Sequence, residues 1–102
     1  MEVFAAHKDI EKFVTGLEAS TRAEVLRLIN VLAIRGYHIA MPHSKRIERG
    51  IYELRVKSSQ SVRIFFTFHA NSAVLLHVVL KNSQKLRPED IRIAQKRLAS
   101  LQ

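Results

Sequence analysis

Three alternating runs lying close together constrain this chain most. In Ile51–Lys57, Tyr52, Leu54 and Val56 share one face, with Glu53, Arg55 and Lys57 on the other. In Val62–Phe68, Val62, Ile64, Phe66 and Phe68 alternate with Arg63, Phe65 and Thr67. In Ala73–Lys81, Val74, Leu76, Val78 and Leu80 alternate with Leu75, His77, Val79 and Lys81. A period of two is the signature of a strand with two distinct faces. The polar turn Ser58-Ser59-Gln60-Ser61 and the Asn71-Ser72 turn join neighbouring runs, which predicts an antiparallel meander. Folded about Ser59, the first hairpin brings Arg55 opposite Arg63. Like charges so opposed destabilise a sheet, so that face suits an anion. In an unbulged strand, parity places His77 and Lys81 on the same face, which is expected to be the more open one.

Helical patterns flank the meander. Ile10, Phe13, Val14 and Leu17 follow the i, i+3, i+4, i+7 spacing, after a short opening strand at Glu2–Ala5. Thr21 and Glu24 have capping-box spacing ahead of Val25, Leu26, Leu28, Ile29, Leu32 and Ala33, and Gly36 suits the position past the end. An αα-hairpin is expected, with these apolar residues as core. Tyr37–Gly50 reads as a basic loop returning to the sheet. Pro88 opens a final helix with Glu89 and Asp90 near its positive end. The fold class is therefore α+β: one domain, residues 1–102, with a helical hairpin on a small, mainly antiparallel sheet and a C-terminal helix.

Charge is unevenly placed. The formal net charge is +8. Residues 1–36 hold five basic and five acidic groups, whereas residues 37–102 hold twelve basic and four acidic ones. A clustered excess is the footprint of a polyanion binder. The chain has no cysteine, so it has neither disulfides nor thiolate chemistry. The opening residues lack a signal-peptide pattern and the apolar runs are too short to span a bilayer, so a cytoplasmic protein without membrane contact is expected.

The residue types point to phosphate chemistry on RNA. An enzyme that uses the substrate's own 2′-hydroxyl must remove its proton, offset charge on a phosphorane-like transition state and protonate the leaving 5′-oxygen. Preorganised cations supply the largest part of such catalysis, and the arginine fork binds two phosphate oxygens. Arg63 is the strongest candidate, weighed against a structural ion pair with Glu53. Arg55, Lys81 and Lys85 follow. A lysine acts as base when neighbouring cations lower its pKa. His77 suits proton transfer or, equally, a satisfied half-buried position. Phe65 offers either a stacking surface for a base or packing under the final helix. His38, His43 and His69 lack metal-ligand spacing, so neither metal nor cofactor is expected.

Several segments carry a family pattern. They are Pro42-His-Ser-Lys45-Arg46-Ile47, Gly50-Ile-Tyr-Glu-Leu-Arg55, Arg63-Ile-Phe-Phe, Leu75-Leu-His77, Lys81-Asn-Ser-Gln-Lys85 and Pro88-Glu-Asp-Ile-Arg-Ile-Ala94. Together they resemble the phage-derived, HigB-like branch of the RelE/ParE toxin superfamily over nearly the whole chain. The resemblance implies a compact microbial RNase-like (RelE-like) fold and the toxin of a type II toxin–antitoxin pair. The implied activity is metal-independent endoribonuclease cleavage of mRNA on the ribosome. The implied partners are the ribosome, mRNA and a cognate helix-turn-helix, HigA-like antitoxin. Carried over by position, Arg55, Arg63, Lys81 and Lys85 line the RNA site. Lys45 and Arg46 hold backbone, and Arg49, Lys57 and Arg87 extend the basic surface. The chain departs from the pattern at Phe66, where many relatives have tyrosine, at Val79 (often aromatic), at Asn82 (often lysine) and in a longer Lys85-to-Pro88 spacing. Two alternatives remain: a ParE-like, non-nuclease toxin acting on DNA gyrase, and a catalytically inactive, basic RNA-binding relative.

Overall fold

The computed structural model describes residues 1–39, 43–81 and 85–101. Pro42 and Asn82, both part of the quoted motifs, lie outside these. The described elements, in chain order, are strand β1 (Val3–Ala5), helices α1 (Lys8–Thr15) and α2 (Ala19–Arg35), a 3-10 turn at Gly36–His38, strands β2 (Ser44–Glu48), β3 (Ile51–Lys57), β4 (Ser61–His69) and β5 (Ser72–Leu80), and helix α3 (Pro88–Ala99). They form an α+β structure around a mixed five-stranded sheet in the order β1-β5-β4-β3-β2, with β1 parallel to β5 and all other pairs antiparallel.

The α1–α2 hairpin covers one face of the sheet. Ile10, Leu17, Val25, Leu28 and Leu32 pack there on Leu54, Val56, Val62, Ile64 and Phe66. His7 caps α1 by accepting the Asp9 N–H at its Nδ1, and Asp9 and Glu11 in the first turn favour the helix dipole. The Thr21–Glu24 capping box does not form. α2 begins earlier, at Ala19, and its open end is satisfied from the sheet. Gln60 Oε1 accepts the Glu18 N–H (2.9 Å), and Thr21 Oγ1 accepts the Gln60 N–H (3.1 Å). With a hairpin residue occupying the orphan donor, the helix needs no local cap. Gly36 has φ +52°, where a side chain is disfavoured.

Three expectations about the sheet are corrected. The segment read as a loop contains β2, which pairs with β3 in the register Lys45↔Glu53. Its charged side chains are those of an edge strand, which hides the β signal while discouraging further pairing. Strand parity also breaks in β5. Phe65 pairs with His77 but Phe66 with Leu75, leaving Leu76 as a bulge. Leu75 and Val78 therefore pack towards the α1–α2 hairpin, whereas Val74, Leu76 and Val79 pack under α3.

The face expected to be open is the third correction. α3 lies across part of it, burying Phe65 completely together with Ile51, Leu76 and Ala94. Phe65 is thus a core residue. The cover is held by Arg97, whose guanidinium donates to the Leu76 carbonyl (2.9 Å) and to Asp9 Oδ2 (2.7 Å). It binds α3, the bulge and α1 together.

Candidate functional site

The ladder fixes which charges meet. Arg55 pairs directly with Arg63, and Arg63 with Val79, so Lys81 follows on the same face. On the other side of β3, Lys45 stands across from Glu53. Lys45, Arg55, Lys57, Arg63 and Lys81 therefore share the α3 side of the sheet, near the end that the helix leaves uncovered. Glu53, Arg55, Lys57, Ser61, Arg63 and Lys81 line a shallow depression there.

Glu53 resolves the conflict between the opposed arginines. Its side chain is 1% exposed. Oε2 contacts Nε of Arg63, a charge contact without hydrogen-bond alignment, and Oε1 lies 3.6 Å from Nε of Arg55. Arg63 is itself buried, and its Nη1 also donates to the Lys85 carbonyl (3.5 Å). Arg55 retains an exposed edge, its side chain being 26% accessible. One carboxylate against two guanidiniums leaves the cluster positive, and Lys81 registers the excess. Partial burial, then the fields of Arg55 and Arg63, hold its ammonium below the ordinary lysine range, and Lys57 adds to this while Glu53 opposes it. Such a lysine releases its proton more readily than one in water.

Other candidates lie apart from this cluster. His77 occupies the α3 face opposite Phe65, with their rings nearly parallel at 6.1 Å. Its Nε2 meets Asp90 Oδ1 at 2.9 Å, and it lines a different depression with Asp9, Phe13, Val79 and Asp90. Four residues of strand, about 13 Å, separate it from Lys81. Arg87 is held by Glu89 beside it (Nε to Oε1, 2.6 Å). Strand alternation turns Arg46, paired with Tyr52, to the face opposite Lys45. Arg49 sits in the β2–β3 turn, at the other end of β3 from Lys57. Lys85 is exposed, between β5 and α3. Phe66, at the position where many relatives have tyrosine, is buried against the α1–α2 hairpin and faces away from the arginines. The sequence offers Glu53 as a partner for Arg63 and, with Glu48, for Arg55, and the structure sets Glu53 against both arginines at once. The available signal was a lone acid in an otherwise basic alternation of Lys57, Arg55 and Glu53.

Among the described residues no three His, Asp or Glu side chains group as a metal site, and no helix is long and apolar enough to cross a membrane. The sheet and its cations define a small α+β protein with a cationic cluster on one sheet face. The chain matches, over residues 12–99, the family described as Phage derived protein Gp49-like (DUF891), and it belongs to that family. This family is often associated with toxin–antitoxin modules. A comparison with curated proteins gave no match.

Proposed function

We propose that this protein is the toxin of a type II toxin–antitoxin pair, a RelE-like, HigB-like endoribonuclease that cleaves mRNA on the ribosome. The observation that carries the reading is the meeting of Arg55, Arg63 and a proton-labile Lys81 around one depression. Membership in a phage-derived, toxin-associated family supports it.

In this mechanism the phosphate sits against the exposed edge of Arg55, beside Arg63. The two guanidiniums offset charge that grows on the non-bridging oxygens as the phosphorane forms. Neutral Lys81 takes the proton from the 2′-hydroxyl, whose oxygen attacks phosphorus, and the P–O5′ bond breaks. The leaving 5′-oxygen takes a proton from Lys85 or solvent. The products are a 2′,3′-cyclic phosphate and a 5′-hydroxyl. Lys45 and Lys57 extend the cationic face along the RNA backbone. The partner that restrains this activity is a cognate antitoxin, and the site of action is the cytoplasm.

The test is expression of the protein in growing cells, with mRNA 5′ ends mapped and the DNA-damage response measured. New 5′-hydroxyl ends within coding sequence, abolished by Lys81→Met and Arg55→Ala, support the nuclease. Intact mRNA with DNA damage selects the gyrase-directed alternative. RNA binding with a steep salt dependence and no cleavage on translating ribosomes selects an inactive binding relative.

A further inference from the structure

We infer that Glu53 is a positioning residue that presents Arg55 and Arg63 together to a single phosphate, an inference that rests on the nuclease reading above. Glu53 reaches the Nε side of both guanidiniums from within the sheet. A guanidinium attracted to a carboxylate on its Nε side keeps Nη groups for another acceptor, and the charge contact fixes where its planar fork lies, although Arg63 Nη1 also donates to the Lys85 carbonyl. Glu53 lies at the floor of the depression with its side chain almost wholly buried, so it acts on the phosphate through the arginines and not by direct contact. The carboxylate also separates two cations that the ladder forces into opposition. Removing its charge makes the face more positive, so a simple electrostatic role predicts tighter RNA binding. A positioning role predicts unimpaired binding with slower chemistry.

Glu53→Gln keeps the shape and removes the charge, and Glu53→Asp keeps the charge on a shorter arm. The expected result for Glu53→Gln on translating ribosomes is a fall in kcat of roughly 100-fold, the scale of a misplaced catalytic group, with KM unchanged or lower. Glu53→Asp recovers part of the loss. 15N relaxation of the arginine Nε–H groups should show both side chains rigid in the wild type and mobile in Glu53→Gln. Equal arginine rigidity in wild type and variant overturns the inference, as does a loss of activity that only tracks the fraction of unfolded protein. A wild-type protein that cleaves no mRNA defeats the nuclease reading without deciding the role of Glu53. In that event inorganic phosphate is the probe. Joint shifts of the Arg55 and Arg63 Nε resonances in the wild type, lost in Glu53→Gln, support positioning, and identical phosphate titrations overturn it.

Discussion

Arg55 and Arg63 stand directly opposite each other across the β3–β4 ladder, and Glu53 lies against both from within the sheet. The pairing makes the two arginines mechanically unequal. Arg63 is buried with its counter-charge, whereas Arg55 keeps an edge in solvent. Arg63→Ala is therefore a test of stability before it is a test of chemistry. Breaking a buried pair from one side typically costs about 3–5 kcal/mol. Urea unfolding should show a loss of that order for Arg63→Ala and much less for Arg55→Ala. Combining Arg63→Met with Glu53→Gln should recover a large part of the loss in a double-mutant cycle.

Lys81 gives a pH dependence whose sign is fixed. Its folded-state pKa lies below the ordinary lysine value of 10.5, so between the two the unfolded chain binds more protons. Stability consequently rises with pH across that window, as the cost of partly burying the ammonium and its repulsion from Arg55 and Arg63 are relieved. Below it both costs are fully present. The difference in urea midpoint between wild type and Lys81→Met should change in this sense on going from neutral to strongly alkaline solution. Wild-type cleavage should rise with pH towards the lowered pKa, and Lys81→Met should stay inactive throughout.

His77 should matter more to the packing of α3 than to RNA. It meets Asp90 at the start of that helix and stacks on Phe65. His77→Asn should leave cleavage per folded molecule close to wild type while lowering the thermal midpoint. A loss of cleavage matching that of Lys81→Met, in a folded variant, would restore His77 to the reaction.

Arg97 joins three elements, so its removal should loosen the cover over the sheet. Arg97→Ala frees the buried Leu76 carbonyl and should cost about 1–3 kcal/mol, the usual penalty for orphaning such a group. Asp9 loses its strongest hydrogen-bond donor at the same time. The Arg97 hydrogen bond, which outweighs opposing desolvation, holds the Asp9 carboxyl below its usual range, with the charges of Arg97 and His7 helping. This contribution is present above the ordinary value of 3.8 and lost as pH falls through the lowered one. In Arg97→Ala, NMR titration of Asp9 should move its pKa upward.

Much of this architecture was readable because it follows from local periodicity. The alternation of Tyr52, Leu54 and Val56 against Val62, Ile64 and Phe66 fixed the β3–β4 register, and with it the meeting of Arg55 and Arg63. What could not be read depends on contacts distant in sequence. The bulge at Leu76 leaves no mark in a run that is apolar on both faces, because either parity buries valine or leucine. β2 was hidden by Lys45 and Arg46, edge-strand charges that look like a loop. Glu53 reads from the sequence as a partner for one arginine or the other, and that it serves both at once depends on β4 lying beside β3.

The pairing of β1 with β5 has a consequence for the order in which this molecule becomes itself. Val3–Ala5 finds its hydrogen-bonding partner in Ala73–Leu75, 70 residues further along a chain of 102. Closing so long a loop is slow relative to forming the β3–β4–β5 meander, whose contacts are local. During synthesis from the N-terminus, β1 must wait for about three-quarters of the chain, and the cationic cluster is likewise incomplete until Lys81 is made. The expected sequence is meander first and β1 last, and pulse-labelled hydrogen exchange should find β4 amides protected before those of β1. The site proposed for RNA cleavage is therefore incomplete until about four-fifths of the chain has been made.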